Sequence, residues 1–230
     1  MVGAALGAPA TPVAAAASSP PGRFVALEPC RLLDTRPQTL RSGGTVDVDV
    51  VGDRCGVPDN AIAAAFTVTA VDPSEPGFVT MWPTGQSRPD TSVLNYRAGQ
   101  VVPNAQIVQL GSEGRVRLYT RAAADLVVDV TGYFEEVDGP VTSGRFVPVE
   151  QRRLVDTRDT GRPSRGGVVE VDAGVPSGAI AAAVNITTTQ SSGPGFFTAY
   201  AEGTGRPTAS VLNTDAVGQT RAAAAIVPLE

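Results

Sequence analysis

Apolar and polar residues alternate along several short segments of the chain. Valine alternates with aspartate in 45–50, and apolar residues alternate with arginine in 115–119 and with Asn or Thr in 184–189. This period of two is typical of strands that bury one face. Turns rich in proline, glycine and serine, such as 73–77 and 191–195, separate these segments. The pattern therefore predicts an all-β protein.

The chain also contains an internal duplication. Residues 23–36 (RFVALEPCRLLDTR) match residues 145–158 (RFVPVEQRRLVDTR) at nine of fourteen positions, whereas chance gives about one match. Further matches follow in the same order: AIAAAFTVT with AIAAAVNIT, GFVT with GFFT, and RPDTSVLN with RPTASVLN. We name residues 23–134 copy one and residues 145–230 copy two, with a polar linker at 135–144.

The alternation pattern of copy one predicts about eight or nine short strands. This number favours a β-sandwich of the jelly-roll kind. Copy two has no counterpart of residues 111–134 within the sequence, so we expect it to lack its last strands. The missing strands would leave unpaired backbone groups. Three interpretations are open: a piece of a longer protein, which we favour, completion of copy two by a strand from a partner chain, or a smaller sandwich.

Residues 1–22 have no charge and no apolar periodicity, and they contain four prolines. Such a segment cannot bury a face, and we expect it to be disordered. Its run of small residues is similar to the end of a secretory signal peptide, although the positively charged start is lacking. It is either a signal-peptide remnant or a flexible linker, and we favour export.

Composition excludes several kinds of chemistry. The 230 residues include no histidine, and all 18 residues counted as Lys or Arg are arginine. Catalytic pairs that need His or Lys, zinc sites of the Cys/His type and phosphate loops with a lysine are therefore excluded. The formal net charge is −5 and the arginines are scattered, so we expect no nucleic-acid partner. We also expect no cofactor, no metal site and no membrane span.

Four motifs resemble a repeat module that is common in secreted and cell-surface proteins of actinobacteria and other bacteria. They are PCRLLDTR (29–36), CGVP (55–58), TSVLNYRAGQ (91–100) and VVDVTGYF (127–134). The resemblance covers nearly all of copy one and copy two up to its end. It implies a tandem module at the bacterial surface, and it brings no known catalytic residue or ligand.

The two cysteines, Cys30 and Cys55, are both missing from copy two. Arg152 replaces the first, and a deletion opposite residues 51–55 removes the second. Joint loss is expected of a bonded pair, so we predict a disulfide, with two buried thiols as the alternative. A disulfide is also typical of exported proteins.

The tripeptide Asp-Thr-Arg occurs in both copies, with Asp34 and Arg36 in the first and Asp156 and Arg158 in the second. We interpret each pair as a structural network that fixes a strand end, because every copy needs its fold. The alternative is an acid–base or sugar-binding clamp. Asp47 with the nearby Asp49 is interpreted as a solvated strand face rather than a calcium site.

The candidate contacts for a sugar ligand are Trp82, Tyr96 and Asn95, which directly precedes Tyr96. The alternative is that these aromatic residues pack within the sheet. Asn95 and Asn213 occur in the same SVLN context, where a bond to the backbone of a turn is expected.

The sequence is most consistent with a non-catalytic, exported structural or adhesive module at the cell surface, with cell-wall or host glycans as its candidate partners. A carbohydrate-binding accessory module of a cell-wall hydrolase is the main alternative. A glycosidase that depends on two carboxylates is a third, less favoured interpretation.

Overall fold

The computed structural model describes residues 20–139 and 144–229, and its regular structure is almost entirely β-strand. The strands of copy one are β1 (Gly22–Asp34), β2 (Thr45–Asp49), β3 (Ala61–Val71), β4 (Gly77–Pro83), β5 (Leu94–Tyr96), β6 (Val101–Gln109), β7 (Arg115–Thr120) and β8 (Asp125–Glu136). The prediction of an all-β fold is confirmed. Most of the predicted disordered segment 1–22 and part of the linker 135–144 lie outside the described residues.

The eight strands of copy one form two antiparallel sheets, in the orders β1-β8-β3-β6 and β2-β7-β4-β5. Strands pair as β1 with β8, β2 with β7, β3 with β6, and β4 with β5. The numbers in each of these pairs add up to nine, as they do when one long hairpin is rolled into two layers. This is the jelly-roll arrangement.

The core of copy one lies between these two sheets. Alternate residues of β3 are buried, which is the pattern expected of a strand with one face on a core. Large side chains that are almost completely buried come from both sheets: Phe66, Met81, Leu94, Leu118 and Leu126. Burying each such side chain stabilises the fold by about 1.5–3 kcal/mol. The last two lie on β7 and β8, so these strands supply part of the core.

Residues 144–229, the described part of copy two, form one short helix and four strands. They are α1 (Thr157–Thr160), β9 (Ala181–Thr188), β10 (Gly195–Phe197), β11 (Leu212–Thr214) and β12 (Arg221–Pro228). The pairing repeats that of copy one: β12 pairs with β9 as β6 does with β3, and β10 pairs with β11 as β4 does with β5. No helix in the described part of the chain is long and apolar enough to cross a membrane.

The strands of copy one that have no counterpart in residues 144–229 are central strands. β8 lies between β1 and β3, and β7 lies between β2 and β4. Residues 145–156 and 169–173, the counterparts of β1 and β2, form no strand in copy two, although the structure describes all of them. Their sequences resemble those of β1 and β2, but their pairing partners are absent from residues 144–229.

The two copies contact each other through a pair of asparagines. The Asn104 side chain on β6 donates to the Val93 carbonyl at 2.5 Å and to Asn185 Oδ1 on β9 at 3.1 Å. Asn104 Oδ1 accepts a hydrogen bond from the Ala224 backbone N–H at 3.2 Å, and Asn185 donates to the Ser92 carbonyl. Each copy has an asparagine at only one of these two positions. Thr67 of copy one corresponds to Asn185, and alanine occupies the region of copy two that corresponds to Asn104.

Phe146, the counterpart of Phe24, also lies against copy one. Its ring stacks on Phe134 of β8 with centroids 4.2 Å apart. Its backbone exchanges two hydrogen bonds with Gly22, at 2.7 and 2.9 Å. The start of copy two therefore pairs with the start of β1.

Candidate functional site

Cys30 on β1 and Cys55 in the loop after β2 form a disulfide, with Cα atoms 5.8 Å apart. The predicted bond is confirmed. It ties the middle of an outer strand to the loop that leads into β3.

In copy two an arginine occupies the position of the first cysteine. Arg152 donates hydrogen bonds to the backbone carbonyls of Ala173 and Gly174. Gly174 corresponds to Gly56, the neighbour of the second cysteine. The same segment is therefore held to the same loop by hydrogen bonds instead of a covalent bond.

The Asp-Thr-Arg turn of copy one is an ion-paired cluster at the end of β1. Arg36 donates to both carboxylate oxygens of Asp34, and its Nε lies 2.9 Å from Asp34 Oδ1. The backbone N–H of Arg36 donates to the same oxygen at 3.1 Å. Thr35 Oγ1 lies 3.3 Å from Asp125 Oδ1 and accepts a hydrogen bond from the Leu126 N–H at 2.9 Å. The turn is therefore attached to the start of β8.

The same turn forms in copy two without β8. The Arg158 Nε lies 2.9 Å from Asp156 Oδ1, and its backbone N–H donates to that oxygen at 3.0 Å, which caps α1. Arg31 of copy one forms two hydrogen bonds to Asp129 on β8. Its counterpart Arg153 bonds to Asp156 at 2.6 Å, which is the equivalent of the bond that Arg31 forms with Asp34 at 3.4 Å.

Both aspartates of these turns stay ionised well into acid. The side-chain hydrogen bond from Arg36, followed by that from its backbone N–H, holds the pKa of Asp34 below its usual range. The corresponding bonds from Arg158 lower the pKa of Asp156 in the same way. A general acid needs a raised pKa near neutrality, so the direction of both shifts favours the structural interpretation.

The acidic face of β2 forms ion pairs that the sequence analysis missed. Asp47 lies directly across from Arg117 on β7, with Oδ1–Nε and Oδ2–Nη2 distances of 2.5 and 2.7 Å. Asp49 lies across from Arg115 and accepts one hydrogen bond from its Nε. The sequence signal for these ion pairs is a shared spacing, because the two acids of β2 and the two arginines of β7 are each two residues apart.

In copy two Glu170 and Asp172 replace these two acids. Neither forms an ion pair with any residue in 20–139 or 144–229. Asp172 only accepts a hydrogen bond from the Gly174 N–H at 2.7 Å. The acidic pair is therefore retained in copy two without its basic partner.

The three residues proposed as ligand contacts lie inside the fold or take part in local bonds. Trp82 is 4% exposed and Tyr96 is 3% exposed, so neither presents an open ring face. Trp82 Nε1 donates to the Gln86 carbonyl at 3.0 Å. The hydroxyl of Tyr96 lies 2.7 Å from Thr120 Oγ1, within the core. This burial favours the packing interpretation.

Asn95 is half-buried, and its side-chain amide donates to Ser92 Oγ at 3.0 Å. Asn213 forms the same bond to Ser210 at 3.1 Å. The bond is local, as expected, but its acceptor is a serine side chain instead of the turn backbone. The sequence signal for this bond is the serine that stands three residues before the asparagine in both SVLN segments.

An aromatic patch on the second sheet combines Phe78, Tyr119 and Arg88. The rings of Phe78 and Tyr119 have centroids 5.9 Å apart, and the Arg88 guanidinium lies 4.0 Å from the centre of the Tyr119 ring. Both rings are partly exposed. They offer more accessible aromatic surface than Trp82 or Tyr96.

Copy two exposes most of the apolar surface found in the described residues. Apart from Phe24 and Val101, every exposed large apolar side chain lies after residue 144: Val149, Leu154, Val155, Val168, Val169, Val171, Ile180, Phe196, Phe197, Val217 and Ile226. Phe197 is 39% exposed, whereas its counterpart Val79 is completely buried. The inward-facing positions of copy two therefore lack a full core.

Within residues 20–139 and 144–229, no cluster of three or more His, Cys, Asp or Glu side chains is placed to hold a metal ion. Comparison of the chain with protein-family models, with curated proteins and with solved structures finds no match. The resemblance to a bacterial surface module therefore stays a prediction.

Proposed function

We propose that the chain is a non-catalytic structural or adhesive module of the bacterial cell surface. The main support is the ion-paired Asp-Thr-Arg turn, which has the same hydrogen bonds at Asp34 and at Asp156. A carboxylate that is already bound by arginine in every copy stabilises its own turn and is poorly suited to acid–base chemistry. The lack of His and Lys in the sequence supports the same function.

Export is the second element of this proposal. The Cys30–Cys55 disulfide supports it, because such bonds persist in oxidising compartments and are rare in the cytosol. Thiol titration of the denatured chain, isolated without reductant from its native source, tests this. We expect no free thiol, and two free thiols would contradict export.

A structural role as a spacer is supported by the contact between the copies. Asn104 and Asn185 form hydrogen bonds across the contact, and Phe146 stacks on Phe134. Paired polar and aromatic contacts of this kind restrict movement between neighbouring units. Spin labels on β4 and β10 should therefore report one narrow distance distribution, which broadens when Asn104→Ala and Asn185→Thr are combined.

A carbohydrate-binding accessory module is the second candidate, supported by the partly exposed patch of Phe78, Tyr119 and Arg88. Aromatic rings beside a cation are common contacts for sugar rings and hydroxyl groups. A glycan array that includes cell-wall fragments tests this function. Binding that is lost in Tyr119→Ala and kept in Phe24→Ala, an exposed aromatic on the other sheet, supports it.

The non-catalytic part of the proposal has its own test. Purified chain incubated with cell-wall material should release no reducing sugar. Release that disappears in Asp34→Asn, while the unfolding midpoint of that variant stays close to that of the wild type, would contradict the proposal and favour a glycosidase.

A further inference from the structure

We propose that the aromatic patch of Phe78, Tyr119 and Arg88 binds an acidic glycan, with Arg88 paired to a carboxylate group of the sugar. This substrate class rests on the carbohydrate-binding function proposed above and specifies it further. Aromatic rings alone accept neutral and charged sugars alike, whereas a positioned guanidinium favours a sugar that carries a carboxylate.

The register of the second sheet places both rings of the patch on its outer face. Tyr119 lies between two completely buried residues of β7, so its side chain points away from the core. Thr80 of β4 lies directly opposite Tyr119, and Phe78 stands two residues earlier on the same face of β4. Asn95 of β5 lies opposite Phe78. Phe78, Tyr119 and Asn95 therefore form one partly exposed surface.

Arg88 is held over the Tyr119 ring. Its guanidinium lies 4.0 Å from the ring centre, and the residue is exposed. Stacking on a ring restricts the guanidinium plane and leaves its N–H groups directed outward along the edge of that plane. Arg88 forms no ion pair with an acid in the described ranges 20–139 and 144–229. Its donors are therefore positioned for an acceptor that a ligand supplies.

The charges around Arg88 are already balanced by other pairs. The two arginines of β7 on this face are paired with the two acids of β2. Asp90, the acid nearest to Arg88 in sequence, has its Oδ1 3.8 Å from Nη2 of Arg153 in copy two. Arg88 therefore adds an unbalanced positive charge to this face, and an anionic ligand balances it.

A carboxylate is the anion that best fits this surface. Arg117 and Asp47 on the same face show the planar arrangement, in which one guanidinium donates to both carboxylate oxygens. The apolar face of the sugar can then pack on the partly exposed Phe78 ring. The amide nitrogen of Asn95 donates to Ser92, which leaves its amide oxygen as an acceptor for a sugar hydroxyl.

NMR titration of the full 230-residue chain with a galacturonate oligosaccharide tests the proposal, with the fully methyl-esterified oligosaccharide as the neutral probe. The acidic probe should shift backbone amides of β4, β5 and β7. The esterified probe should bind about tenfold more weakly, because it cannot form the charge-assisted pair. Arg88→Ala should weaken binding of the acidic probe by a similar factor. Arg88→Lys keeps the charge but loses the planar set of donors, so it should recover only part of the affinity.

Arg206→Ala is the matched control. Arg206 stands in the corresponding Arg-Pro dipeptide of copy two, and it is exposed without a stacked ring in residues 144–229. This variant should bind the acidic probe like the wild type. Arg88 is also exposed, so the unfolding midpoint of Arg88→Ala, followed by the fluorescence of Trp82, should not change.

Equal affinity for the acidic and esterified probes, with loss of both in Tyr119→Ala, would overturn the acidic substrate class and keep the carbohydrate-binding function. Equal affinity for a short glutamate peptide would overturn both, since charge alone would then be recognised. Absence of binding by either sugar probe would overturn the acidic substrate class, while the glycan array separately decides whether the patch binds carbohydrate.

Discussion

The largest difference in secondary structure between copy one and copy two occurs where their sequences are most similar. Residues 23–36 and 145–158 share nine of fourteen residues, yet the first segment is mostly a 13-residue strand and the second forms no strand. The difference is the presence of β8, which pairs with β1 and has no counterpart within residues 144–229. Strand formation in this protein therefore depends on an available partner more than on local sequence.

The strand pairs that form in copy two show the same dependence on an available partner strand. Its pairs β9–β12 and β10–β11 correspond to β3–β6 and β4–β5, the inner half of the rolled hairpin. Each of these pairs is complete without the last two strands. The counterparts of β1 and β2, which in copy one pair only with β8 and β7, form no strand in copy two. Most of their large apolar side chains are exposed.

The largest expected difference between the copies concerns the core. Phe66→Ala should destabilise copy one by about 3–5 kcal/mol, because the ring is 1% exposed and its loss leaves a cavity. Val184→Ala, at the equivalent half-buried position, should cost less than about 1 kcal/mol. Urea unfolding followed by the fluorescence of Trp82, the single tryptophan, measures the first cost, and hydrogen exchange of β9 measures the second because Trp82 lies in copy one. Equal costs would mean that copy two has a full core.

The disulfide should give the next largest effect. Replacing Cys30 and Cys55 together by serine should lower the free energy of unfolding of copy one by about 3 kcal/mol, since the bond closes a loop of 25 residues. Arg152→Ala, at the first cysteine position of copy two, should leave the Trp82 transition unchanged. A large shift with Arg152→Ala would show that the two copies unfold as one unit.

A smaller, pH-dependent effect is expected at Asp34. Arg36 lowers the pKa of Asp34 in the folded protein, and the unfolded value is about 3.9. The stabilisation is therefore complete above about pH 5 and is lost as the pH falls from about 4 toward the lower folded value. The difference between the unfolding midpoints of wild type and Asp34→Asn should be constant near neutrality and shrink below pH 4. A difference that grows in acid would contradict the ion-paired geometry.

The smallest effect is expected at the contact between the copies. Asn104→Ala removes hydrogen bonds to Asn185 and Ala224 and should cost about 1 kcal/mol of local stability. Hydrogen exchange of β12 should speed up accordingly, while the Trp82 transition stays close to that of the wild type. Asn95→Ala, which removes a local bond within copy one, is the matched control and should not affect β12.

Much of the fold could be predicted from the sequence, because alternation and duplication are local signals. They indicated the strands of copy one, the sandwich class and the disulfide. Which strands are central could not be predicted, since neighbours such as β8 and β3 are far apart in sequence. The burial of Trp82 depends on the packing around its strand, which the alternation of residue types does not give.

Only part of the candidate site could be predicted from the sequence. The Asp34–Arg36 and Asp156–Arg158 pairs are two residues apart and could be found within the motif itself. The pairs that join Asp47 to Arg117 and Asp49 to Arg115 require the register between β2 and β7. The aromatic patch of Phe78, Tyr119 and Arg88 likewise depends on contacts between distant segments.

The most direct test of the account is hydrogen exchange, resolved by residue, on the unmodified chain. Amides of β1 that bond to β8 should exchange slowly, whereas the corresponding amides of 147–156 should exchange orders of magnitude faster despite the similar sequence. Comparable protection in the two segments would show that residues 147–156 already have a pairing partner, and it would contradict the central claim that strand formation in this segment needs a counterpart of β8, which residues 144–229 do not contain.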